Sequence, residues 1–70
     1  KITVDQAMAL NMQQALAQLG YYTGPLHGEY DEATRKAYEH YCHVENFEER
    51  ICTDNVVDSR VVSFLLSNRT

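Results

Sequence analysis

Gly20-Tyr21-Tyr22-Thr23-Gly24-Pro25-Leu26-His27-Gly28-Glu29-Tyr30-Asp31-Glu32-Ala33-Thr34-Arg35-Lys36-Ala37-Tyr38-Glu39-His40-Tyr41 is the stretch whose reading decides the fold. A helix-stopping glycine opens it. A loop with three tyrosines follows, and Gly24-Pro25 and His27-Gly28 are turn signals. Asp31 then offers a helix N-cap with Thr34 three residues on, and Glu32 puts a favourable charge in the first turn. Thr34, Ala37, Tyr38 and Tyr41 recur at helical steps as a buried stripe, flanked by Ala33 and Cys42. Glu32 and Lys36 form an i,i+4 pair in the better orientation. The stretch is the end of one helix, an ordered loop and the start of a second helix, predicted over Glu32–His43.

Upstream, Thr3 and Gln6 have capping-box spacing. Val4, Met8, Met12, Ala15, Leu16 and Leu19 share one face, so a helix is predicted over Val4–Leu19. Gly20 takes the left-handed position after it, with Tyr21 as the next residue of a Schellman stop. Downstream, Phe47 is the apolar anchor in the polar run Glu45–Arg50. Thr53, Asp54 or Asn55 can cap a last helix, and Asn55 with Asp58 has capping-box spacing. Val57, Val61, Phe64 and Leu65 step helically. The paired valines Val56-Val57 and Val61-Val62 also suit a strand, but spacing and length favour a helix over Asp58–Leu66. The expected architecture is all-α, a small three-helix bundle with an ordered Gly/Pro loop between helices 1 and 2. Its expected core is Met8, Met12, Leu16, Leu19, Ala37, Tyr41, Phe47, Val61 and Leu65.

Seventy residues allow one domain, which buries only about 60% of its unfolded surface. That leaves little room for a deep active site and favours a binding module. The chain starts at Lys1 without Met, which suggests a piece of a larger protein. Six basic against ten acidic residues give a net charge of −4. No basic cluster is present to neutralise phosphates, which argues against nucleic acid. No apolar run approaches the roughly 20 residues of a membrane span.

The candidate chemistries are weak. His40 and His43 sit at i,i+3, but Cys42 points roughly 200° away from His40 around a helix, so two surface histidines are preferred to a metal site. Cys42 lacks a paired base, and adjacent Glu48 and Glu49 face different ways. Neither a catalytic residue nor a cofactor is assigned. Cys42 and Cys52 are expected to be neighbours, as two thiols rather than an obligatory bridge.

Gln14 and Leu16, Leu19-Gly20-Tyr21-Tyr22, Gly24, Gly28, Thr34, Ala37 and Tyr41 together resemble the peptidoglycan-binding-like domain over about forty residues. Two positions depart from its pattern: His27 stands where an aspartate braces the loop, and Asp31 replaces a glycine. The Asn46–Arg50 segment and the later valines are closer to a divergent group, the putative peptidoglycan-binding domains. Those are often appended to proteins related to the N-terminal-nucleophile hydrolases. The resemblance implies a non-catalytic module that binds peptidoglycan or a muropeptide weakly, working in the cell envelope or periplasm. Tyr21, His27, Glu29 and Tyr30 are the implied ligand contacts, with Gly20, Gly24 and Gly28 shaping the loop. The alternative is a structural or interaction domain that packs on an upstream catalytic domain of the same protein.

Overall fold

A computed structural model describes residues 2–47, 49 and 55–67. The elements in order are β1 (Ile2–Thr3), α1 (Gln6–Gln18), α2 (Glu32–Val44), β2 (Val56–Val57) and α3 (Ser59–Ser67). The expected three-helix, mostly α bundle is what the chain forms, with a two-residue ladder added. Helix α1 is the shared partner, packing on both α2 and α3.

The start of α1 differs from expectation. Thr3 is not the cap, because its backbone is spent in β1, where Thr3 pairs with Val56 and Ile2 with Val57 in an antiparallel ladder. The Val4 N–H continues the pairing by donating to the Asn55 carbonyl at 2.7 Å. The helix can start only where these donors run out. Asp5 is the N-cap, its Oδ1 accepting the Met8 N–H at 2.8 Å.

Helix α1 ends as its sequence predicts. Gly20 has φ +88° and its N–H donates to the Ala17 carbonyl at 3.1 Å, while the Tyr21 N–H donates to Leu16 at 2.8 Å. These two bonds satisfy carbonyls that a helix end leaves orphaned. Leu19, expected in the core, is 39% exposed. It is the C-cap residue, and the chain turns away at Gly20.

Helix α2 is capped by Asp31, as its sequence predicts. Its other end repeats the same stop with asparagine in the glycine position. Asn46 has φ 64°, its N–H reaches the His43 carbonyl at 3.4 Å, and the Phe47 N–H reaches Cys42 at 2.6 Å. Asparagine tolerates this left-handed region better than most residues. The stop aims Phe47 back at the bundle. Its ring lies 6.5 Å from Tyr41 and 5.5 Å, edge-on, from Phe64.

Val57 belongs to the ladder and not to α3, and Asn55 precedes β2 instead of capping a helix. The helical start falls at Asp58, whose Oδ1 accepts the Arg60 N–H at 2.8 Å and whose carbonyl accepts Val62 at 3.1 Å. The strand preference of paired valines therefore holds at Val56-Val57 and yields to helix at Val61-Val62. Thr53 and Asp54, the other expected caps, lie outside the described residues.

The core joins Ala9, Met12, Ala15 and Leu16 of α1 to Ala37, Tyr38, Tyr41 and Cys42 of α2. Val61, Val62 and Leu65 of α3 close it, with Val4, Val57 and Tyr22 from the connections. Met8 and Phe47 pack against its edge, half-buried. Cys42 is buried, whereas Cys52 and any pairing with it lie outside the described residues.

Leu16 is fully buried in the helix that both others contact. Leu16→Ala should cost about 2–5 kcal/mol by losing transfer energy and leaving a cavity. Urea unfolding followed by circular dichroism measures it, and a loss below about 1 kcal/mol would contradict this packing.

Candidate functional site

Loops carry backbone groups that must find partners once they leave water. Here one buried side chain supplies two of them. Gln13, in the middle of α1, has no exposed surface. Its Oε1 accepts the Gly28 N–H at 2.9 Å. Its Nε2 donates to the Glu29 carbonyl and to Thr34 Oγ1, each at 2.9 Å. One amide thus ties α1 to the loop and to the first turn of α2.

The network continues outward through Thr34 and Asp31. Thr34 Oγ1 accepts from Gln13 and donates to Asp31 Oδ1 at 2.8 Å. The same carboxylate oxygen accepts the Thr34 N–H at 2.9 Å. The other, Oδ2, lies 3.1 Å from His27 Nε2. His27 Nδ1 accepts the Glu29 N–H at 3.0 Å. With Nδ1 accepting, the neutral ring carries its proton on Nε2 and donates to Asp31. Thr34, through its N–H first and then its hydroxyl, and His27 more weakly, hold the Asp31 carboxyl below its ordinary value of 3.8.

The two departures from the family pattern are thus one feature. Asp31 returns a carboxylate to the loop, and His27 joins that carboxylate to the Glu29 amide.

Two glycines are required by close approach. A Cβ on Gly28 would sit 3.0 Å from Gln6 Cγ and 3.3 Å from the Gln6 carbonyl oxygen, at a backbone with φ +79°. A Cβ on Gly24 would sit 2.7 Å from the Tyr22 hydroxyl oxygen. That hydroxyl cannot easily yield, because Tyr22 is buried and donates to the Pro25 carbonyl at 2.7 Å. Tyr22 faces inward under the loop.

Three of the four expected contact residues lie on one continuous edge. His27 and Glu29 are exposed and joined by the bond just described, and Tyr30 is half-buried beside them. Tyr30 also lines a concavity of about 260 Å³ with Asp31, Glu32, Arg35 and Asn55. Tyr21 is elsewhere. Its ring packs edge-on against His40 at 4.9 Å and Tyr41 at 6.0 Å. Nine residues of helix separate His40 from Asp31, roughly 13 Å of rise. Only an elongated ligand reaches both ends.

Sequence reasoning missed Gln13, Arg35 and Asn55. Gln13 was detectable as a polar residue inside the apolar stripe, four after Ala9 and three before Leu16; the resemblance rests on its neighbour Gln14, which is half-buried. Asn55 reaches the concavity only through the β-ladder, which no local pattern announces. A larger hollow of about 700 Å³ is lined, among the described residues, by Ser59, Arg60, Ser63, Phe64 and Ser67. All five belong to α3. His40 and His43 are exposed on α2, and among the described residues no three His, Cys, Asp or Glu side chains converge on a metal position. No described helix is long and apolar enough to cross a membrane.

Gln13→Leu keeps the approximate volume but orphans the buried Gly28 N–H, while the Glu29 carbonyl keeps the Asp31 N–H at 2.9 Å. A buried group left unpaired costs about 1–3 kcal/mol, so a loss in that range is expected in urea unfolding. Hydrogen exchange at the Gly28 amide should accelerate with it. Asp31 carries a pH signature. Its folded pKa is lowered, so its contribution to stability is complete above the ordinary carboxyl value and disappears as pH falls through the folded one. The stability gap between wild type and Asp31→Asn should therefore be constant from neutral pH to about 4 and shrink below it. A gap unchanged at pH 2.5 would contradict the assignment.

No curated protein and no solved structure matches the chain. The family model described as "Putative peptidoglycan binding domain" matches residues 2–65, from the first strand through most of α3 and including the whole Gln13-braced loop. The chain belongs to that family.

Proposed function

We propose that this chain is a non-catalytic module that binds bacterial cell-wall peptidoglycan weakly, through the loop between α1 and α2. The observation that carries the reading is the pre-ordered edge His27–Tyr30, held from beneath by the buried Gln13 amide. A loop fixed before binding loses little entropy on binding. The family description supports the ligand class.

His27, Glu29 and Tyr30 are the contacts on this edge, and Tyr21 is the contact at the far end of the loop. The tyrosine rings offer apolar faces to sugar rings and hydroxyls to polar groups. Glu29 offers an acceptor to a glycan hydroxyl or a peptide N–H. Gly24 and Gly28 keep the loop close to the body of the domain. The His27–Asp31 pair is committed to structure: Nδ1 accepts the Glu29 amide and Nε2 faces the carboxylate. A general base needs a free lone pair near its substrate, which supports the non-catalytic reading.

Soluble muropeptides titrated into labelled protein should move amide resonances of the 24–35 segment and of Tyr21, in fast exchange. Insoluble peptidoglycan should retain the protein in a pull-down. Absence of both shifts at millimolar ligand and retention would overturn the proposal in favour of a domain that packs on a catalytic partner.

A further inference from the structure

The concavity beside the loop has a chemistry of its own. Arg35 lines it together with Tyr30, Asp31, Glu32 and Asn55. The carboxylates there are already engaged. Both Asp31 oxygens accept hydrogen bonds or face His27, and Glu32 pairs with Lys36 at 3.0 Å. Arg35 is different. Its Nε is shielded from solvent and makes no hydrogen bond among the described residues. Its only ion pair there, Nε to Glu39 Oε2 at 3.9 Å, is too long for one. A guanidinium has five N–H donors and stays charged at any ordinary pH. This one retains its donor capacity at the rim of a hollow.

Arg35 and Asn55 are held there by backbone. The Arg35 N–H donates to the Asp31 carbonyl in the first turn of α2, at 2.9 Å, and the Asn55 carbonyl accepts from Val4 at 2.7 Å. The ladder therefore brings Asn55 to the same hollow as Arg35. The hollow, about 260 Å³, is smaller than the roughly 300–1,000 Å³ of a site for a drug-sized ligand. It suits the end of a ligand.

We infer that this concavity is a subsite for the C-terminal carboxylate of a short peptide, taken by the Arg35 guanidinium beside Asn55. Arginine recognises carboxylates through paired, charge-assisted N–H bonds. Glu32 stays paired with Lys36, so the rim carboxylate is already offset. A guanidinium with unengaged donors favours a carboxylate end over a neutral sugar. The inference rests on the peptidoglycan reading and narrows it: the peptide portion of the polymer, not the glycan, enters the hollow beside Tyr30.

The test uses D-alanyl-D-alanine, its methyl ester, and a chitin oligosaccharide as probes, with amide and arginine Nε–H resonances as readout. The dipeptide should shift Tyr30, Arg35 and Asn55. The methyl ester and the oligosaccharide should leave the Arg35 Nε–H unmoved. Arg35→Gln, at a half-buried position on α2, should keep the wild-type circular dichroism and weaken dipeptide binding at least tenfold. If Arg35→Gln binds the dipeptide as wild type does, or if the ester shifts Arg35 equally, the subsite is overturned. Retention of wild type on insoluble peptidoglycan separates the two levels. Retention without dipeptide shifts rejects the subsite and leaves the peptidoglycan reading intact; loss of retention rejects that reading and the subsite with it.

Discussion

The amide of Gln13 is the interaction on which the loop, and with it the candidate site, depends. A buried amide without partners is costly to fold around. This one is satisfied at both ends: its oxygen by the Gly28 N–H, its nitrogen by the Glu29 carbonyl and Thr34 Oγ1. A leucine at this position would add to the core and leave the buried Gly28 N–H without its partner. The side chain thus trades apolar burial for a fixed connection between two helices. A small domain has few other ways to hold a ten-residue loop, because its core reaches only the loop's inward face.

The two helix stops act in parallel with that clamp. Gly20 and Asn46 both adopt left-handed backbone, and each is followed by an aromatic residue whose N–H bonds back to the helix. The stops turn the chain sharply, and the aromatics that follow, Tyr21 and Phe47, come to lie against Tyr41 from two sides. Tyr41 itself is buried. Chain reversal and aromatic packing are therefore one event at each stop. The result is a row of rings from His40 through Tyr21, Tyr41 and Phe47 to Phe64.

Charge is distributed to match. Asp31 and Glu32 stand at the positive end of α2, where carboxylates are favoured. Lys36 bonds Glu32 and holds its carboxyl below the ordinary value, with Arg35 adding through space. The acidic balance of the chain is thus locally offset beside the loop, where Arg35 and Lys36 follow one helical turn behind the two carboxylates.

The sequence by itself determined the local structure: the helical spacing of the apolar residues, the Asp31 cap and the Gly20 stop. These depend on contacts within a few residues, so pattern and residue type suffice. Its three helices and its family resemblance were legible for the same reason. Tertiary structure decided the rest. Thr3 could cap a helix as well as Asp5 does, and only pairing with Val56, more than fifty residues away, draws it into a strand. Leu19 fits the apolar stripe, and only its place at the helix end exposes it. Tyr21 and Tyr30 look alike as loop tyrosines, yet packing sends one to His40 and the other to Arg35. Gln13 reads as one polar residue among several, and its importance exists only because Gly28, Glu29 and Thr34 converge on it from fifteen or more residues away. Such convergence is a property of the folded backbone, and no local spacing encodes it.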